Sequence, residues 1–174
     1  MSSIVTTNTK AKPLFSYFRN LQKSFNLIIY IRFRRERVEL YYYPFDSTYE
    51  DELIIAIRKK GKKEYISAVG KEIHTLSRDD TSVVRTPFSP FLLEPDNFNL
   101  GEKVVRYFLQ KGMPFRGALI APKVIIHPNK SYVSEMEEQA YRELALSAGA
   151  REVVVYVGDT LKPEMLENIM KKAL

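Results

Sequence analysis

The chain has 174 residues, 45% hydrophobic and 28% charged, which is enough for one well-buried domain and too short for two ordinary ones. It contains no cysteine, which excludes a disulfide scaffold, a thiolate zinc site and a cysteine nucleophile together. The net charge of +6 sits at one end: residues 1–40 carry eight basic side chains against Glu36 and Glu39, while the rest carries 19 basic and 19 acidic groups. An anionic partner would be met by the first forty residues, unless the cluster is only a solvated face.

In chain order, residues 1–12 are polar and rich in Ser and Thr, the composition of a disordered tail. In residues 13–23, Leu14, Tyr17, Phe18 and Leu21 recur at i, i+3, i+4 and i+7, one face of a short amphipathic helix. Lys10, Lys12, Arg19 and Lys23 surround that face. Such a helix either packs on its own domain or lies on an anionic membrane surface. Residues 24–174 read as one domain. LIIYIRF (27–33), with Leu27, Ile29, Ile31 and Phe33 on one face, and RVELYYY (37–43) are strands around a turn at Arg34, Arg35 and Glu36. A second hairpin runs through ELIIAI (52–57), a turn around Gly61 and EYISAV (64–69).

Alternation of helix and strand follows. Residues 70–77 suit a short helix, and 99–111 a longer one that turns Val104, Val105, Phe108 and Leu109 inward. Residues 119–127 form an apolar strand interrupted by Pro122. A helix over 134–148 closes at Gly149, and 151–157 is a buried strand. Pro163 then opens a last helix that runs to about Lys172. The longest apolar runs are strand length, far short of the ~20 residues of a membrane span, and the N-terminus lacks the apolar core of a secretory signal. The expected setting is cytoplasmic, at most peripheral to the inner membrane.

This order predicts an α/β fold: a ribonuclease H-like mixed sheet with flanking helices, antiparallel at one edge and parallel where helices cross over. Nucleases and actin-like ATPases of this fold place a carboxylate on the first strand, and the ATPases add a glycine turn for phosphates. LIIYIRF has neither. No GxxxxGK[ST] loop or GxGxxG fingerprint occurs, and His74 and His127 lack ligand-spaced partners. No metal site and no cofactor are expected.

Three stretches carry a family resemblance: EYISAVGKEIHTL, NLGEKVVRYFL and SEMEEQAYRELALSAGAREVVVYV. They resemble the bacterial actin homologue MreB, the rod-shape-determining family, over about Leu27 to Val157, equivalent to the first half of an actin-like ATPase fold. That family carries an Asp-x-Gly-Thr phosphate turn, and the matching positions here are Tyr30, Ile31, Arg32 and Phe33. The resemblance implies that Tyr30, Arg32 and Phe33 replace the turn, because only glycine lets the backbone approach phosphate there. The family's Glu-Pro after the last shared strand becomes Gly158-Asp159, and its second lobe is expected to be lacking. Glu137 matches the water-orienting glutamate, but Ser134-x-x-Glu137 is also a capping box, and the capping role is favoured.

The resemblance implies a truncated MreB-like domain that is not an enzyme and acts by protein or membrane-surface interaction in cell-shape or cytoskeletal organisation. A shape-determining filament protein is the implied partner, with a monomer or small closed oligomer as the state. The candidate interaction residues are Leu14, Tyr17, Phe18, Leu21, Arg19, Lys23, Arg32, Arg34, Arg35 and Arg37. One alternative is half of a composite ATP-binding protein completed by a second chain. The other is a basic nucleic-acid-binding module, which is disfavoured because Phe33 points away from Arg32 and Arg34 instead of sharing their strand face.

Overall fold

A computed structural model describes residues 25–61, 63–76, 83–85, 95–111 and 121–172. The segment 13–23, with its six candidate interaction residues, and the tail 1–12 lie outside the described residues. The main sheet has the order β3-β2-β1-β7-β8, built from β1 (Ile28–Phe33), β2 (Arg37–Tyr43), β3 (Ser47–Glu52), β7 (Lys123–His127) and β8 (Glu152–Val155). The three leading strands pair antiparallel, and β1, β7 and β8 run parallel. This is the ribonuclease H-like mixed sheet expected. A second, antiparallel sheet has the order β5-β4-β6, from β4 (Ile55–Lys60), β5 (Lys63–Val69) and β6 (Val83–Arg85).

Side-chain alternation gives the main sheet two unlike faces. Leu27, Ile29, Ile31 and Phe33 of the first face join Val38, Leu40 and Tyr42 in the larger core. Helices α1 (Pro95–Lys111) and α2 (Glu135–Ala148) close it with Val104, Val105, Phe108 and Leu109, and with Tyr141, Leu144, Ala145 and Ala148. The opposite face is smaller: Ile28, Tyr30, Ile125 and Val154 pack under Leu161 and helix α3 (Leu166–Lys172), entered through a 3₁₀ turn at Pro163–Met165. Among the described residues, Tyr41 and Tyr43 of β2 pack against the same cluster, and the Tyr43 hydroxyl donates to Glu167 of α3 at 2.9 Å.

Several bounds differ from expectation. The segment at 70–77 is a 3₁₀ helix, Gly70–Thr75, and α1 begins four residues earlier than its apolar periodicity. β7 begins after Pro122, whose missing N–H cannot join a ladder, and β8 ends at Val155. β3 was not expected at all.

The two sheets meet at a joint centred on Asp51, a carboxylate only 4% exposed. Its Oδ1 accepts the backbone N–H groups of Glu52 and Lys71, each at 2.8 Å, and the Tyr49 hydroxyl donates to Oδ2. Gly70 holds φ +61, and a Cβ there would run into the Asp51 carboxylate. Only glycine lets the chain turn out of β5 so close to that group.

Candidate functional site

In open α/β sheets, ligands collect beyond the carboxyl ends of the parallel strands. Here that end holds Arg32 beside His127, which are register partners of β1 and β7, the loop into α2, and the segment after β8. Tyr30 and His127 are 5% and 8% exposed. Their rings stack with centroids 5.9 Å apart, and Tyr156 meets the imidazole edge-on at 5.3 Å.

Hydrogen bonds fix the polarity of this cluster. The Leu161 N–H donates to the Tyr30 hydroxyl oxygen at 3.3 Å, and that oxygen lies 2.6 Å from His127 Nδ1. The imidazole also hydrogen-bonds the Gly158 backbone. With an N–H spent on the Gly158 carbonyl, Nδ1 is left as acceptor and the Tyr30 O–H donates to it. Burial favours this neutral state: it pushes His127 below its ordinary value and Tyr30 above its own. Tyr30 is thus saturated as donor and acceptor, and the segment after β8 is drawn across the strand ends. Gly158, with φ +148, permits this because a Cβ would clash with the Tyr156 hydroxyl.

Arg32, two residues on, points to the same face. It sits opposite Glu39 on β2 and bonds it through Nη1 at 3.1 Å, while Arg34 Nε approaches the other Glu39 oxygen at 3.5 Å. Arg37 pairs with Glu50 at 2.8 Å. Three of the four β-hairpin arginines singled out from the sequence are therefore tied to β2 and β3 carboxylates, and Arg35 is exposed. Phe33 faces the other way, into the larger core against Tyr141.

Glu137 lies at the start of α2. Its Oε2 accepts the Ser134 N–H at 3.0 Å, and its own N–H donates to Ser134 Oγ at 3.3 Å, closing a full capping box. Lys130 bonds Oε1, and this contact, followed by the Ser134 N–H, holds the carboxyl down to about 2. The described residues contain no group of three or more His, Asp or Glu arranged to hold a metal, and no helix long and apolar enough to cross a membrane. Sequence reasoning missed the Tyr30–His127 contact. Its partners are 97 residues apart, and only the parallel β1–β7 register brings them together.

No family model and no curated protein matches the sequence. Solved structures do match. MreB 5 of Spiroplasma citri bound to AMPPNP superposes with a TM-score of 0.60 at 16% identity, over 76% of this chain and 38% of that one. A non-polymerising mutant of MamK bound to AMPPNP gives 0.58 at 10% identity, over 75% and 40%. MamK in a double helical filament gives 0.56 at 8% identity, over 76% and 41%. The chain thus has a partial MreB-like fold, that of an actin-like half-domain, and spans about two fifths of the length of the structures it matches.

Proposed function

We propose that this chain is a non-catalytic MreB-like half-domain that works by binding protein, in cell-shape or cytoskeletal organisation. One observation carries the reading: the path from Leu161 through Tyr30 and His127 to Gly158 spans the strand ends where a nucleotide phosphate would need open backbone. Phosphate sites depend on unspent N–H groups and on glycine's close approach. Here the Leu161 N–H is already used, and the Arg32 side chain, paired with Glu39, occupies the glycine position.

Two of the matched structures hold AMPPNP and one is a filament. A lobe that keeps the fold without the phosphate turn can dock on such a filament without cycling nucleotide. By itself it forms a monomer or a small closed oligomer, because head-to-tail growth needs two complementary surfaces that repeat without closing. The first forty residues supply the charge for the partner, or for an anionic inner-membrane surface.

Co-pelleting tests the reading. Purified chain mixed with filaments of an MreB protein is expected to sediment with them saturably, more weakly as salt rises, with no phosphate released from Mg-ATP beyond the filaments' own. Extra phosphate release would contradict the non-catalytic reading, and failure to pellet at any salt would remove the filament partner.

A further inference from the structure

Helix α2 turns Tyr141, Leu144, Ala145 and Ala148 into the larger core, and its opposite side carries Met136, Gln139, Glu143 and Leu146, all exposed. Two of these are large apolar side chains, Met136 at 66% and Leu146 at 44% exposed. The stripe advances by three, four and three residues, the spacing of a seam along which one helix meets another. Its apolar groups stand at the two ends. Between them, Gln139 Nε2 donates to Glu143 Oε1 at 2.9 Å.

This stripe is complementary to itself. In an antiparallel pair of α2 helices related by a two-fold axis at mid-helix, Met136 meets the partner's Leu146 and Gln139 meets the partner's Glu143. Each pairing then occurs twice. Two apolar contacts flank two amide–carboxylate contacts, and Glu143 faces an amide instead of its own copy. The helix ends match as well. The first turn carries Glu135, Glu137 and Glu138, and the last turn has no basic residue. Beside that last turn, Arg106 of α1 donates to the Ser147 carbonyl at 2.7 Å, and Arg151 follows the helix. Lys130 answers Glu137, Arg142 answers Glu138 and Glu102 answers Arg106, which leaves the charges of Glu135 at one end and Arg151 at the other. An antiparallel partner brings these opposite ends together and sets each helix N-terminus beside a C-terminus, where the dipoles attract.

We propose that this chain pairs with a second copy of itself through α2, antiparallel and two-fold, as a weak dimer. The polar centre of the seam fixes its register at a cost in affinity. A single helix face, about 21 Å long, lies at the low end of interface sizes and suits a dissociation constant near ~100 µM. Such a pair uses the stripe of both copies and closes. It gives the small closed oligomer of the proposed function its surface. Neither the lost phosphate turn nor filament docking enters the argument, so a monomer would leave both standing.

Sedimentation equilibrium of the full chain from about 10 µM to 1 mM tests the pairing, and cysteine cross-linking tests its register. The expected result is a monomer–dimer equilibrium, weakened about ten-fold or more by Leu146→Asp and by Met136→Asp, since both side chains lie outside the core. The chain has no cysteine, so Met136→Cys and Leu146→Cys each introduce a single thiol. Mixed near 0.5 mM and oxidised with copper–phenanthroline, the two variants should form the 136–146 disulfide, about ten-fold more of it than either variant forms alone. Like positions would lie about 15 Å apart along the paired helices, beyond the reach of a disulfide. The mixed disulfide decides the matter if an aspartate variant does not fold. A monomer at 1 mM, a dimer unchanged by both aspartate variants, or single-variant disulfides as abundant as the mixed one would overturn the assignment.

Discussion

Midway along β1, Tyr30 stands where the resemblance to MreB would place an aspartate. The change removes a charge and extends the side chain far enough to reach β7 and the segment after β8. Removing the hydroxyl in Tyr30→Phe leaves both His127 Nδ1 and the Leu161 N–H without their buried partner. The expected cost is about 1–3 kcal/mol, read as a lower urea midpoint. The same cluster makes stability depend on acid. The unfolded chain protonates its imidazole near 6.5, and the folded chain does so only at lower pH, so falling pH favours unfolding. The contribution is intact above about pH 6.5 and is lost below it, whereas Glu72 and Glu137, held below 4.5, titrate outside that window. Between about pH 7.5 and 5.5 the urea midpoint should fall, and by less in His127→Gln. No change in wild type would mean that His127 is not held neutral. None of this could be read along the chain. Tyr30 sits in an apolar strand, His127 closes another, and only their pairing makes one group of them.

At the scale of elements, the strongly periodic segments were legible. Val104, Val105, Phe108 and Leu109 face inward as their spacing requires, and all are 3% exposed or less. β3 was not legible, because STYEDE has neither an apolar run nor a β-branched majority. It is an edge strand: Thr48 and Glu50 face solvent, and Tyr49 and Asp51 turn inward, where Asp51 survives through its hydrogen bonds. A buried carboxylate that serves as a joint is invisible to hydrophobic patterning. Gly70→Ala tests the joint, since it combines a left-handed backbone with a clash against Asp51; the expected loss is about 2–4 kcal/mol in urea unfolding. A loss below about 0.5 kcal/mol would show that the contact relaxes freely. The capping box at α2, by contrast, was legible from Ser134 and Glu137 alone. Ser134→Ala should cost about 1 kcal/mol. Glu137→Gln should cost less than about 0.5 kcal/mol, because glutamine also caps and the exposed Lys130 pair contributes little. A larger loss in Glu137→Gln would point to a role beyond the cap.

For the whole molecule, the asymmetry of charge sets what the chain can meet. Within the described part of the first forty residues, Arg32 and Arg34 share Glu39 and Arg37 pairs with Glu50, so attraction to an anionic surface falls mainly on Arg35 and the basic residues before Phe25. Each basic residue near an anionic membrane contributes roughly 1 kcal/mol, enough together for reversible and salt-sensitive binding. Anionic vesicles should therefore sediment the chain, neutral vesicles should not, and Phe18→Asp should release it while remaining folded. Unfolding of that variant would instead assign residues 13–23 to the core. The fold was legible as an actin-like half-domain because element order and three sequence stretches agreed. The fate of its phosphate turn needed the side chains in place. Isothermal calorimetry of Mg-ATP into the full chain measures that fate most directly. With Tyr30, His127 and Leu161 saturating the strand ends, the expected result is no binding tighter than ~1 mM, about 4 kcal/mol, and micromolar binding would contradict it.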